Sequence, residues 1–106
     1  MTIPALSGLS RTPYAPSFKG AIFIKQKDFN DEPQEIQDFF TRGAEDAVSK
    51  GSVAAFESTE DKIGLLFNKE QKRQENKTLK LCAGLGIPKE HIDRNISPEE
   101  FQALLK

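Results

Sequence analysis

A chain of 106 residues can bury one hydrophobic core but not two, so a single domain is expected. Its 15 basic and 16 acidic residues give a net charge of −1, which provides no general argument for binding nucleic acid or an anionic membrane. No run approaches the length of about 18 apolar residues that a membrane-spanning helix requires. The single cysteine, Cys82, excludes an intrachain disulfide and makes a reducing, cytoplasmic environment the expected location.

Residues 1–18 are predicted to form a flexible N-terminal tail, and residues 19–106 a single α+β domain. A plain disordered or surface-draped tail is the simplest interpretation, but the tail also carries recognition features. Pro13 and Pro16 have the Pro-x-x-Pro spacing that proline-recognition domains bind, within a segment that starts at Arg11. Tyr14, the only tyrosine, is a candidate for phosphorylation. We therefore predict that these four residues contact a partner protein.

The start of the chain also suggests a second location. Residues 1–27 contain four basic and no acidic side chains, whereas residues 28–106 carry a net charge of −5. An acid-free start rich in serine, threonine and proline resembles the uncleaved export signals of bacterial type III secreted effectors. The resemblance implies export without a cleaved signal peptide, as the alternative to a cytoplasmic location.

Residues 20–26 are rich in β-branched and aromatic side chains and are apolar on both faces, which predicts a strand inside a sheet. A helix is predicted to follow, capped by Asp31 at its start and closed by Gly51 in a left-handed conformation. Its apolar residues recur at helical spacing and should form one buried stripe of Ile36, Phe39, Phe40, Gly43, Ala44, Ala47 and Val48. Gly43 and Ala44 are expected to let this helix approach the sheet closely.

A β-hairpin is predicted within residues 51–68, because two apolar runs flank the polar residues 58–61. In the expected register Glu57 faces Lys62, and their opposite charges favour the pairing. The face expected to carry the core consists of Ala54, Phe56, Ile63, Leu65 and Phe67. Which arm of the hairpin lies beside the first strand is left open.

A helix with a basic stripe is predicted from residue 69 onwards. The cations spaced to share that stripe are Lys69, Lys72, Arg73, Lys77 and Lys80, and Glu75 is expected to lie off it. Because its first two turns contain no apolar residue, the segment should project from the core. We predict that the five cations contact a partner, although a solvated face is the simpler interpretation.

Residues 81–94 resemble the turn of helix-turn-helix DNA-binding proteins, in which a helix ends in Leu-Gly-Ile and a recognition helix follows. Leu85, Gly86, Ile87 and Ile92 occupy the matching positions. The resemblance implies that Lys89, Glu90, His91 and Arg94 face the major groove of DNA. Nucleic-acid binding through residues 69–94 is therefore the alternative to protein binding.

A terminal helix is predicted over residues 97–106. Ser97 should cap it, with Pro98 at its first position and Glu100 completing a capping box. Its apolar residues should form a satellite core or cover the second face of the sheet. Overall, the pattern predicts an α+β fold: a small three-stranded sheet in the order β-α-β-β, one long packed helix and a helical C-terminal region.

No catalytic, cofactor or metal site is predicted. Cys82 and His91 could act as nucleophile and base only if the fold brought them together, and a buried, inert thiol is the better interpretation. The function expected is therefore a small non-enzymatic protein-interaction module, such as a bacterial secreted effector, an inhibitor or a regulatory adaptor. Its contact surface is expected to include Phe18, Phe23 and Phe29 together with residues 69–80.

Overall fold

The computed structural model describes residues 18–106 as a sheet with helices on both faces, which confirms the α+β class. The sheet has four strands where three were predicted. In chain order the elements are β1 (Gly20–Lys25), α1 (Gln26–Asn30), α2 (Gln34–Ser49), β2 (Ala55–Ser58), β3 (Lys62–Phe67), α3 (Lys72–Leu85), β4 (Glu90–Ile92) and α4 (Pro98–Leu104). A short 3-10 turn, Lys69–Gln71, leads into α3.

The strand order is β2-β3-β1-β4, and every neighbouring pair is antiparallel. β1 lies inside the sheet, and all its residues except Lys25 are buried, as its two apolar faces predicted. The second arm of the hairpin, β3, is the one beside β1, with Gly20 opposite Phe67. β1 and β2 therefore run parallel with β3 between them, so α2 connects two strands that do not touch.

α2 covers one face of the sheet, but only part of its predicted stripe is buried. Phe40, Ala44 and Ala47 pack in the core, whereas Phe39 is 61 % exposed and Val48 is 38 % exposed. Gly43 is exposed as well, and a Cβ placed there would meet no atom within 4 Å, so it does not mediate close approach to the sheet. The prediction for these three positions was wrong, because α2 shares the sheet face with α3.

The predicted C-terminal end of α2 is confirmed, whereas the predicted N-terminal cap was wrong. Gly51 follows the helix with φ 77°, as expected for a left-handed cap. Asp31 does not cap the start, which falls at Pro33 without a side-chain cap. Residues 26–30 form the short helix α1 instead, and Asp31 is the residue that ends it.

The β2–β3 hairpin is confirmed, but its register differs from the prediction by two residues. Glu57 lies opposite Gly64 and Ser58 opposite Ile63. The loop between β2 and β3 consists of residues 59–61, one residue fewer than predicted. Thr59 closes it, because its Oγ1 accepts hydrogen bonds from the backbone N–H groups of Asp61 and Lys62 at 3.3 and 3.1 Å. A slip of two residues keeps each side chain on its predicted face within β2 and β3.

The alternation of side chains between the two faces of the sheet is interrupted just before β2. The N–H of Ala54 donates to the carbonyl of Leu66 at 2.9 Å, although Ala55 is the residue in register with Leu66. Two residues thus oppose one, as in a β-bulge. Val53 consequently points into the core between the sheet and helices α2 and α3, which we call the helix-side core. Ala54 points into the core on the other face, which α4 covers. This is the reverse of the predicted arrangement.

α4 covers the second face of the sheet, as predicted. Ser97 caps it, with its Oγ accepting from the N–H of Glu100 at 3.0 Å, and Pro98 is the first helical residue. Gly64 permits the close contact, since a Cβ at that position would lie 2.7 Å from Cδ2 of Leu105 and 2.9 Å from Cζ of Phe101. The protein therefore has two cores, one on each face of the sheet, so the prediction of one core from the chain length was wrong.

β4 replaces the recognition helix that the helix-turn-helix resemblance implied. Gly86 does end α3 in a left-handed cap, but residues 90–92 pair with β1, with His91 opposite Ile22. The predicted helix was wrong because buried β1 would otherwise leave one edge of backbone N–H and C=O groups unpaired, and pairing satisfies them. His91 and Arg94 consequently do not lie on a DNA-recognition helix.

Candidate functional site

Glu75 in the first turn of α3 is the most unusual residue in the described part of the chain. Its side chain is only 1 % exposed, although carboxylates are almost never buried without partners. The prediction that this segment projects from the core was therefore wrong. The 3-10 turn that leads into α3 begins at a capping box, in which the Asn68 side chain accepts from the N–H of Glu70 and the Gln71 side chain accepts from the N–H of Asn68, both at 2.9 Å.

Three polar side chains surround the Glu75 carboxylate, and we refer to the four residues as the Glu75 cluster: Lys72, Glu75, His91 and Asp93. Nε2 of His91 lies 2.6 Å from Oε2 of Glu75, a hydrogen-bond distance. Nζ of Lys72 lies 3.4 Å from Oε1 of Glu75 and 3.3 Å from Oδ1 of Asp93. The hydrogen bond to Asp93 and the nearby charge of Glu75 raise the pKa of Lys72.

The sheet makes room for this cluster at Gly20. A Cβ at position 20 would overlap Oε2 of Glu75 and come within 2.9 Å of its Cδ, so the carboxylate lies directly against the glycine backbone of β1. His91 reaches the same place from β4, because its register partner Ile22 shares the helix-side face with Gly20. Pairing of β4 with β1 is thus what brings His91 to Glu75.

The cluster leaves one buried acceptor without a hydrogen-bond partner, namely Oε1 of Glu75. Lys72 is close enough for an ion pair with this oxygen but not oriented to donate to it. A carboxylate bonded to a histidine can share or exchange a proton, and an additional free oxygen can coordinate a cation. The arrangement therefore combines a histidine–carboxylate hydrogen bond with a buried acceptor that has no protein donor.

The sequence pattern missed Glu75 and Asp93, although a signal for Glu75 existed. Glu75, Thr78, Leu79 and Cys82 recur at i, i+3, i+4 and i+7, which is the spacing of a buried helical stripe. A glutamate on such a stripe indicates a buried carboxylate that needs a partner. No comparable signal identified Asp93, whose position depends on the turn after β4.

Cys82 is fully buried in the helix-side core, as predicted. Burial raises the pKa of its thiol, and the charge of Lys89 opposes that shift. The reactive thiolate is therefore disfavoured. His91 forms its hydrogen bond with Glu75, so Cys82 and His91 do not constitute a nucleophile–base pair in this structure.

Arg94, which the helix-turn-helix resemblance assigned to DNA, instead binds Glu100 through two hydrogen bonds, one of them 3.0 Å from Nη1 to Oε1. These bonds lower the pKa of Glu100 from its ordinary value of 4.5. Because the folded pKa lies below the unfolded one, the pair stabilises the fold above pH 4.5 and loses its contribution as the pH falls. We expect Arg94→Gln to lower the melting temperature slightly at pH 7 but not in acid.

Thermal unfolding of both proteins between pH 3 and 8 measures this dependence, with Lys69→Gln as a control at an exposed cation outside the pair. A difference between wild type and Arg94→Gln that persists unchanged to pH 3 would contradict it.

The predicted partner-binding cations of α3 are all exposed, but they do not share one stripe. Successive helical residues are rotated by about 100°, so Lys72 lies roughly 140° away from Lys77. The side chain of Lys72 is accordingly directed towards Glu75 and Asp93. Arg73, Lys77 and Lys80 lie within about 60° of one another and roughly 80–140° around the helix axis from Lys72. Within residues 18–106 none of the three forms an ion pair.

Other residues of the predicted contact surface are placed differently. Phe23 and Phe29 are buried at 2 % and 5 % exposure, so they belong to the cores and not to a contact surface. Phe18, the last residue of the predicted tail, is half-buried and pairs with Ile96 through two backbone hydrogen bonds. Arg11, Pro13, Tyr14 and Pro16 lie outside the described residues, and their assignment stays a prediction.

An apolar groove between α2 and α3 was not predicted. It has a volume of about 120 Å³, and we call it the α2–α3 groove. Its walls are formed by Phe39, Phe40, Gly43, Ala44, Ala47, Val53, Leu65, Gln74, Thr78 and Leu81. Gln74 also lines an adjacent polar depression together with Arg73 and Lys77. The apolar groove and the basic side of α3 are therefore continuous.

Comparison with protein-family models, with curated proteins and with solved structures found no match to this chain. Within residues 18–106, no helix combines the length and apolar character needed to cross a membrane.

Proposed function

We propose that this protein is a protein-interaction module that binds an acidic, amphipathic segment of a partner protein in the α2–α3 groove. The observation that supports it most directly is Phe39, a phenylalanine on a regular helix that is 61 % exposed at the edge of an apolar groove. Large exposed aromatic side chains beside a concave apolar surface are typical of binding sites. Such a module acts as an inhibitor, adaptor or effector according to what its partner does.

The groove depends on small residues. Gly43 has no atom within 4 Å of the place where its Cβ would be, so open space borders α2 at this point. Ala44 and Ala47 form the next part of the wall, while Leu81 and Thr78 face them from α3. A groove between two helices suits an apolar side chain projecting from a third helix. The groove offers a volume of about 120 Å³ for such a side chain.

Charge indicates the chemistry of the partner. Arg73 and Lys77 line the depression that adjoins the groove, and Lys80 lies on the same side of α3. On α2, Asp46 is already paired with Lys50 at 2.9 Å. Within residues 18–106 Arg73, Lys77 and Lys80 form no ion pair, and in the depression two cations, Arg73 and Lys77, face one acidic residue, Glu70. Acidic residues flanking an apolar anchor would complement these cations, which favours fast and specific association.

Selection from a random peptide library on the immobilised full-length protein tests the proposal, followed by fluorescence anisotropy of the enriched peptides. Enriched sequences should combine aspartate and glutamate with leucine or phenylalanine at helical spacing. Gly43→Leu should weaken their binding at least tenfold, because the added side chain fills the groove. A leucine also removes a helical glycine, so the variant should remain folded.

Charge reversal and a matched control complete the design. Arg73→Glu with Lys77→Glu should also weaken binding at least tenfold, whereas Arg42→Glu on the exposed side of α2 should change it less than twofold. Peptides without acidic residues, or peptides unaffected by Gly43→Leu, would contradict the proposal. Salt-sensitive binding of a DNA duplex that is lost in the double charge reversal but retained in Gly43→Leu would favour the nucleic-acid alternative.

A further inference from the structure

We propose that Glu75, His91 and Asp93 form a binding site for a divalent transition-metal ion, with Zn²⁺ as the representative case. One ligand atom from each of these residues lies within 4.8 Å of the other two. The site is separate from the α2–α3 groove and does not depend on the proposed function. It involves the start of α3, the centre of β4 and the turn that follows β4.

The donor set favours a transition metal. An imidazole nitrogen and two carboxylate oxygens are common zinc ligands, and three protein ligands leave a fourth tetrahedral position for water. Magnesium and calcium prefer oxygen ligands in larger numbers, so a histidine in a set of three selects against them. Water can reach the fourth position, because the side chains of His91 and Asp93 are 26 % and 64 % exposed.

The buried oxygen of Glu75 is the strongest evidence for a ligand. Oε1 has no hydrogen-bond partner although the side chain is only 1 % exposed, and an unsatisfied buried acceptor destabilises a fold. The contact with Gly20 holds the carboxylate in place from behind. A cation bound between Glu75 and Asp93 would coordinate this oxygen, and a preformed ligand keeps the cost of ordering the site low.

Lys72 currently occupies part of this position with its own positive charge. Its ammonium group lies between the two carboxylates, at 3.4 Å from Glu75 and 3.3 Å from Asp93. The side chain is 51 % exposed, so it can move into solvent when a metal ion enters. His91 and Glu75 must also separate slightly, since two ligands of a tetrahedral zinc ion lie about 3.3 Å apart whereas the present distance is 2.6 Å.

The bound ion would connect α3 to β4, an edge strand of three residues. A ligand that binds only the folded protein stabilises it according to its concentration and affinity. We therefore expect Zn²⁺ both to bind and to raise the melting temperature. His91 is the only histidine of the chain and residues 1–27 contain no carboxylate side chain, so few other residues could supply the same ligand set.

Isothermal titration calorimetry of the chelator-treated full-length protein with Zn²⁺ tests the proposal, with Mg²⁺ as the hard-cation control. We expect one ion per chain with a micromolar dissociation constant, and no binding of Mg²⁺ at the same concentration. Asp93→Asn should weaken Zn²⁺ binding at least tenfold. Lys72→Met should strengthen it, because the competing ammonium is removed. Both side chains are exposed, so these variants should fold.

Asp61→Asn in the hairpin loop is the matched control and should bind Zn²⁺ as the wild type does. The proposal is overturned if neither the wild type nor Lys72→Met binds Zn²⁺ at 1 mM, a concentration about a thousandfold above the expected micromolar constant. It is also overturned if Asp93→Asn binds unchanged. Co²⁺ substitution supplies a separate readout, since a sulfur charge-transfer band would show that Cys82 and not the proposed cluster holds the metal.

Discussion

His91→Ala is expected to destabilise the protein by about 2 kcal/mol, within the range of about 1–3 kcal/mol that leaving a buried acceptor without its hydrogen-bond donor costs. The reason is the carboxylate that stays behind. Glu75 is 1 % exposed, Gly20 blocks one side of it, and the histidine supplies its 2.6 Å hydrogen bond. The loss does not reach the top of this range because His91 is itself 26 % exposed, so water can partly replace its imidazole. Urea unfolding followed by circular dichroism measures the loss.

The control for this prediction removes both partners. Glu75→Met combined with His91→Leu should cost less than His91→Ala alone, because no buried carboxylate is then left without a donor. A double variant less stable than the single one would show that His91 stabilises the fold by packing and not through Glu75. Unfolding should be measured in the presence of a chelator, so that a bound metal ion does not contribute.

Phe101→Ala is expected to cost about 3–5 kcal/mol, the range for truncating a buried phenylalanine. Phe101 is 1 % exposed, its ring centroid lies 5.5 Å from that of Phe23, and it closes the core on the α4 side of the sheet. That core has few members, so little can move to fill the cavity. For a domain whose total stability is about 5–15 kcal/mol, the loss leaves a marginal fold.

Gln102→Ala serves as the matched control, because it changes an exposed neighbour on the same helix and should alter the stability by less than about 0.5 kcal/mol. Chemical denaturation of wild type and both variants compares the two positions directly. A loss below 1 kcal/mol for Phe101→Ala would mean that α4 contributes little to the second core.

Local pattern was sufficient to predict most of the elements. β1 was identified from β-branched and aromatic residues on both faces, and its central position follows from the same residues. α4 was identified from the capping residues Ser97 and Pro98, whose effect is exerted within one helical turn. Such elements can be predicted from the sequence because the interactions that determine them involve residues close together in the chain.

β4 could not be predicted, because its residues have no strand pattern of their own. Pro88 and Gly86 together are typical of a corner between two helices, and that is what the local sequence predicted. The deciding factor was the unpaired edge of β1, about 70 residues earlier in the chain. The contact between His91 and Glu75 could not be predicted for the same reason, since only the pairing of β4 with β1 brings His91 within reach of Glu75.

Phe39 illustrates a limit of the helical pattern. The spacing assigned a wide apolar stripe to α2, but a stripe predicts only which residues share a side and not what covers them. α3 lies next to α2 on the same sheet face, and between them Gly43 and Ala44 leave the α2–α3 groove. An apolar residue on a groove wall follows the same spacing as a core residue.

The central position of β1 has a consequence for synthesis on the ribosome. β1 ends at Lys25, but its partner β3 is complete only at Phe67, 42 residues later. At translation rates of about 5–20 residues per second, roughly 2–8 s pass between the synthesis of β1 and the completion of β3, the first strand that can pair with it. During that time the apolar run Ala21–Ile24 has no partner strand, and exposed apolar surface with unpaired strand edges makes a folding chain prone to aggregate unless chaperones protect it. Production of this protein is therefore expected to depend on chaperone capacity more than the stability of its folded state would indicate.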